Sequence, residues 1–146
     1  MGNQPSIIKK VNFEDIQNVL QKKLSDVLLI NTLDNTPEDQ SCILPGTLDF
    51  TREEEVINTC LNSAKEIKII IYGKNSGDAK IYEKYTQLVE LGFTNVYIYP
   101  GGMFEWMLLQ DIFSDEHFKT TSQELDILKF KPKSGMNTEY SYQIRS

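Results

Sequence analysis

Apolar positions along this chain alternate between helical spacing and short unbroken runs. Phe13, Ile16, Leu20 and Leu24 recur at helical intervals. Asn12 is placed to cap them, with Asp15 three residues on. Val27-Leu28-Leu29-Ile30 then runs without a polar break and is too short for a helix. Such a run predicts a strand buried on both faces, as in a parallel sheet. Residues 34–47 hold Asp, Asn, Pro and Gly and read as a long loop. Thr51 and Glu54 have the spacing of a capping box. Val56, Ile57, Cys60 and Leu61 supply the apolar stripe of a helix over 51–64.

The strongest strand signal is Ile67-Lys68-Ile69-Ile70-Ile71-Tyr72, which runs into the polar loop Gly73-Lys74-Asn75-Ser76-Gly77-Asp78. A helix follows with Ile81, Tyr85, Leu88 and Val89 on one face, ending at Gly92. Val96-Tyr97-Ile98-Tyr99 is another strand, stopped by Pro100-Gly101-Gly102. A last helix carries Phe104, Trp106, Met107, Leu108 and Ile112. Strands alternating with helices predict an α/β fold with a mainly parallel central sheet flanked by helices. Residues 1–10 read as a polar arm, of which 1–6 form the flexible part ahead of a domain over 7–119. From Thr120 the pattern dissolves. Leu125, Ile127 and Phe130 alternate with polar residues and suggest one edge strand in an otherwise loosely docked or disordered extension over 120–146.

Composition narrows the function classes. The 146 residues are 40% hydrophobic and 25% charged, enough for a core that needs no disulfide or metal staple. The net charge of −6 argues against a general nucleic-acid binder. Cys42 and Cys60 form no disulfide framework, and the one histidine, His117, leaves too few ligands for a His-based zinc site. Asp34, Glu38 and Asp39 would hold a hard cation only if their loop folded around it. Glu53-Glu54-Glu55 favours a helix first turn rather than a metal. No cofactor or metal is expected. No apolar run approaches the roughly 18–20 residues that span a bilayer, and no secretory signal opens the chain, so a cytoplasmic protein is expected. Met1-Gly2-Asn3-Gln4-Pro5-Ser6 fits the N-myristoylation pattern. With Lys9 and Lys10 it predicts weak membrane attachment through Gly2.

In open α/β sheets ligands bind beyond the carboxyl ends of the strands, where loop 73–78 lies. A glycine-containing loop before a helix can offer backbone amides to an anion. This loop is neither a Walker A motif nor a dinucleotide fingerprint, because the glycines and the Lys-Ser/Thr pair do not fall as those require.

Several stretches together resemble the rhodanese-like family. Val27–Ile30 with Asn31 is similar to its first core strand. Leu44-Pro45-Gly46-Thr47 resembles the segment usually read as His-Ile-Pro-Gly-Ala. Leu91-Gly92-Phe93-Thr94-Asn95-Val96-Tyr97, then Gly101-Gly102 with Trp106, resemble its C-terminal signature. The likeness covers roughly residues 7–113 and implies a central parallel sheet between helices. It also implies sulfur transfer by a cysteine placed directly after the strand 67–72. Here Gly73 stands at that position, and glycine cannot be a nucleophile. Asp78 falls near the family's usual loop arginine, and Asn31-Thr32-Leu33 replaces its usual Asp-x-Arg. An aspartate there would cap the helix with its own negative charge and discourage an anion. The expectation is therefore a non-catalytic binding or regulatory module that binds a protein partner or positions a complex, with loop residues Gly73 to Asp78 as a degenerate site. The alternative is sulfur transfer by another thiol such as Cys42. Cys60, on an apolar helix stripe, reads as core. Phe104, Trp106 and Met107 read as packing residues and His117 as a solvated one.

Overall fold

The computed structural model describes residues 7–23 and 25–136. Gly2 and Leu24, singled out above, lie outside the described residues. Helix α1 (Phe13–Lys22) leads into β1 (Val27–Asn31), the short α2 (Pro37–Ser41), α3 (Glu53–Ser63), β2 (Lys68–Tyr72), α4 (Ala79–Leu91), β3 (Val96–Ile98) and α5 (Gly102–Phe113). The strands form a parallel sheet in the order β1-β2-β3. Leu29 pairs with Ile70, and Ile70 with Tyr97. Single bridges extend both edges, with Thr47 beside Leu29 and Lys10 beside Ile98.

Alternation along each strand divides the apolar runs between two cores. Leu29, Ile70 and Tyr72 face Ile16 of α1 and Trp106 and Met107 of α5. Ile30, Ile69, Ile71 and Ile98 face Ile57 and Cys60 of α3 and Ile81, Tyr85 and Leu88 of α4. Helices therefore cover both faces, which is why these strands read as continuous hydrophobic runs. Trp106 is fully buried, edge-on to Tyr99 and Phe118, as expected of a packing residue.

Local signals held where nothing competed with them. Asn12 accepts from the amides of Glu14 and Asp15, and the Asp15 side chain returns the bond to the Asn12 amide. Gly92 ends α4 at φ 115°. His117 is exposed.

Five readings need correction. The stretch 34–47 contains α2, started by Thr36 accepting from the Asp39 amide (3.1 Å) with Pro37 in the first turn. The Thr51–Glu54 capping box does not form. Asp49 takes the Thr51 amide (2.9 Å), residues 50–52 make a 3-10 turn, and α3 starts at Glu53 without a side-chain cap. Val89 is 37% exposed rather than part of the buried stripe. The end of the polar arm is a sheet edge, because the Val11 amide bonds Ile98 O (2.8 Å) and the Ile98 amide bonds Lys9 O (3.0 Å). Residues Ile127–Phe130 form a 3-10 turn, not an edge strand. Thr47 and Lys10 already bridge the outer strands, so that segment instead folds over the end of the sheet and buries Phe130.

Candidate functional site

The loop after β2 emerges at the carboxyl edge of the sheet, between the turn after β1 and the turn into α5. Its backbone is held from three sides. Gly73 O accepts from the Met103 amide (2.9 Å) and Lys74 O from the Phe104 amide (2.8 Å). Amides in the first turn of α5, the natural anion ligands of a helix N-terminus, thus bond loop carbonyls. This approach requires glycine at 102, where φ is +62° and a Cβ would lie 2.6 Å from Gly73 O.

Asn75 organises the loop interior. It is 7% exposed. Its Oδ1 accepts from the Gly77 amide (2.9 Å), and its carbonyl accepts from the Asp78 amide (3.2 Å). Its Nδ2 donates to Phe130 O (2.9 Å), 55 residues away in sequence. Asp78 caps α4, Oδ1 accepting from the Lys80 amide (3.0 Å). The amides of Gly77, Asp78 and Lys80 are therefore bonded within the segment, and a carboxylate stands at its rim. Ser76 and Gly77 are exposed, and Lys74 is half-buried.

Gly73 is buried, and its missing side chain is replaced by its neighbours. A Cβ there would lie 2.5 Å from Thr32 Oγ1, 2.7 Å from Asp78 Oδ2 and 3.0 Å from Ile81 Cγ1. Thr32, which directly follows β1, is 9% exposed and also reaches Tyr72 O (3.5 Å). Asn31 is turned to a structural task. Its Oδ1 accepts from the Leu33 amide (3.0 Å) and Gln40 Nε2 (2.9 Å), and its Nδ2 donates to Gln40 Oε1 (3.2 Å).

A C-terminal strap closes the edge. Trp106 Nε1 donates to Lys119 O (2.9 Å), the Thr121 amide to Ile43 O (2.9 Å), and Ser122 Oγ to Ser41 O (2.8 Å). Phe130, 1% exposed, ends the strap beside Asn75. The first part of the extension over 120–146 is thus packed on the core. Cys42 lies beneath the strap, 1% exposed, its Sγ donating to Ser122 O (3.3 Å). Burial pushes its thiol pKa up, opposite to what a nucleophilic cysteine needs. Tyr72 is also buried. Its hydroxyl accepts from the Leu44 amide (3.1 Å) and lies 2.6 Å from Thr47 Oγ1. This ties the Leu44–Thr47 segment to β2.

Beside the loop a cleft of about 760 Å³ runs between α3 and α4, floored by Ile57 and Leu88. Its walls carry the ion pairs Asp34–Lys80 (2.6 Å) and Glu53–Lys84. The Lys80 ammonium holds the Asp34 carboxyl below its usual range. Among the described residues no group of three His, Cys, Asp or Glu side chains is arranged to hold a metal. Sequence reasoning named Thr32 and Phe130 but did not place them against Gly73 and Asn75, and it missed the α5 amides. The Gly101-Gly102 doublet was the one available sign of a close backbone approach.

The family model for the rhodanese-like domain matches residues 18–109, more than half of the chain. No curated protein matches. Among solved structures, a protein of Bacillus halodurans aligns at TM-score 0.58 and 14% identity, covering 84% of this chain and 90% of that one. The rhodanese-like domain of an Anabaena protein aligns at TM-score 0.51 and 16% identity, covering 96% of each chain. An uncharacterized protein of Saccharomyces cerevisiae aligns at TM-score 0.52 and 20% identity, covering 70% of this chain and 93% of that one. At these identities the likeness is one of fold. With the family match over residues 18–109, the parallel sheet between two helical layers and the loop after β2, the chain belongs to the rhodanese-like domain family.

Proposed function

We propose that this chain is a non-catalytic rhodanese-like domain that binds a protein partner. The observation that carries the reading is the filled space at Gly73, where the Thr32 hydroxyl and the Asp78 carboxylate occupy the volume a side chain would need. The bonded amides of the loop and the negative charge of Asp78 support it, because a thiosulfate-like donor would meet repulsion rather than a cradle. The strap adds to this by covering the neighbouring edge.

The competing reading is sulfur transfer through Cys42, whose thiol is buried and held neutral. Incubation of the folded protein with thiosulfate, followed by intact mass measurement, separates the two. The expected result is no persulfide adduct and no sulfur transfer to cyanide or thiols. A mass gain of one sulfur, lost in Cys42→Ser, would overturn the non-catalytic reading. A proteome-wide cross-linking experiment with the full chain tests the partner half.

A further inference from the structure

The C-terminal strap is seated at two points and arches between them. Phe118, 4% exposed, lies edge-on to Trp106, and the Phe130 ring, 1% exposed, packs in the same α1–α5 core. Between these two rings no side chain is buried. Trp106 Nε1 holds Lys119 O (2.9 Å) at the near end. At the far end Ile127, in the 3-10 turn before Phe130, is the first side chain to pack on the core again. Residues 120–126 add no side chain to either core, and Leu125 is 83% exposed. A cleft of about 640 Å³ takes its walls from Met107 and Gln110 of α5, from Pro45, and from Ser122 and Leu125 of the arch.

Hydrogen bonds, mostly to one short stretch, hold the arch down. Thr121 donates its amide to Ile43 O (2.9 Å) and its Oγ1 to Ser41 O (2.8 Å). The same Oγ1 accepts from the Ile43 amide (3.0 Å). Ser122 Oγ also donates to Ser41 O (2.8 Å), and Cys42 Sγ donates to Ser122 O (3.3 Å). From α5, Gln110 Nε2 donates to Thr120 Oγ1 (3.1 Å). The Glu124–Lys129 ion pair lies within the strap and does not tie it to the core. Ser41 ends α2, which buries no residue, so the anchor is itself lightly packed. Hydrogen bonds near solvent with little apolar burial mark segments that open well below the free energy of global unfolding.

We propose that residues 120–126 form a gate that opens on its own, pivoting at Lys119 and at the Ile127–Phe130 turn while both rings stay seated. Closed, the gate buries the Cys42 thiol and occupies the hydrogen-bonding edge of residues 41–43. Open, it bares that thiol and leaves Ser41 O and the Ile43 amide and carbonyl without their strap partners. A ligand of that edge has to compete with Thr121 and Ser122, which makes the strap an internal brake on access. Release of the whole strap is a different and costlier event, because it withdraws two phenylalanines from the core and takes Phe130 O from Asn75. The inference does not depend on the partner-binding reading.

Iodoacetamide labelling of the full chain, read at Cys42 by peptide mass spectrometry across low urea concentrations, tests it. The rate is expected to be nearly independent of urea well below the unfolding midpoint, because a small gate exposes little surface, and to rise only where global unfolding takes over. Thr121→Val removes both hydroxyl bonds and should speed Cys42 labelling without urea at least about fivefold. Thr121→Ser keeps the hydroxyl and should label like the parent. Phe130→Leu is the control outside the gate. Its melting temperature should fall while Cys42 labels at the parent rate without urea, because the ring is seated whether the gate is open or closed. Cys42 labelling that follows the full urea dependence of global unfolding overturns the proposal. So does a Thr121→Val rate equal to the parent's, or Phe130→Leu labelling as fast as Thr121→Val.

Discussion

Placing a cysteine at position 73 is a direct test of how the site is built. In Gly73→Cys the Cβ position is set by the backbone, and Thr32 Oγ1, Asp78 Oδ2 and Ile81 Cγ1 lie 2.5, 2.7 and 3.0 Å from it. Contacts that short force the neighbours to move. Overpacking of this kind costs about 1–3 kcal/mol. Displacing Asp78 also weakens the α4 cap it makes with the Lys80 amide, worth about 1 kcal/mol. The sum of about 2–4 kcal/mol corresponds to a melting temperature lower by roughly 5–15 °C in a chain of this size. The new thiol would also lie against a carboxylate, which raises its pKa and leaves little thiolate at neutral pH. Scanning calorimetry and a thiosulfate sulfurtransferase assay read the two halves. Adding Thr32→Ala should recover part of the stability by vacating the hydroxyl's space. Adding Asp78→Asn, which keeps a capping side chain and removes the charge, should speed alkylation of the new cysteine near neutral pH. A Gly73→Cys protein that melts like the parent and turns over thiosulfate would refute both the steric and the electrostatic argument.

Three further outcomes follow from the same geometry. Gly102→Ala puts a Cβ 2.6 Å from the Gly73 carbonyl at a left-handed φ; with backbone rather than a flexible side chain in the way, a loss above about 3 kcal/mol is expected in urea unfolding. Asn75→Ala removes the bonds to Gly77 and Phe130 and strands a buried carbonyl; the expected loss is about 2–4 kcal/mol, with faster proteolysis after Lys129 as the sign that the strap has loosened. Stability should fall in alkali, because burial raises the folded pKa of Cys42 and Tyr72 above their ordinary 9.0 and 10.0. The unfolded chain releases these protons first, so stability is intact below about pH 9 and declines above about pH 9 for Cys42 and above about pH 10 for Tyr72, by about 1.4 kcal/mol per pH unit each until the folded group itself ionises. Tyr72→Phe should flatten that decline above pH 10 in melts followed by circular dichroism, whatever its own cost from stranding the Leu44 amide.

The sheet was legible because its strands are apolar on both faces, so the runs at 27–30 and 69–71 carry their burial in the sequence itself. The short α2 was not, because it buries no residue and has no apolar stripe; only Thr36-Pro37-Glu38-Asp39 marks its start. The Thr51 box failed for a local reason, since Asp49 competes for the same amide and wins. At the site, the absence of a thiol at 73 can be read directly. What fills the space cannot, because Thr32 reaches Gly73 only through the pairing of β1 with β2. Phe130 was hidden more deeply. A lone aromatic residue in a polar stretch has no periodicity; its ring is buried by the α1–α5 core and its carbonyl is held by Asn75, 55 residues away in sequence.

The stretches that identify the family are themselves informative about why a likeness in sequence leaves activity open. Phe93 is 3% exposed in the α4-side core, and Asn95 donates to Glu66 O (2.7 Å) to join the entries of β2 and β3. Gly102 lets α5 approach the loop backbone, and Trp106 fills the opposite core. Each of these residues has a packing or backbone task here that persists with glycine at 73. The signature Leu91–Tyr97, Gly101-Gly102 and Trp106 therefore reports the sheet and its two helical layers. The chemistry depends on the few side chains around Gly73, and in this chain those are a hydroxyl, a carboxylate and an isoleucine packed against one another.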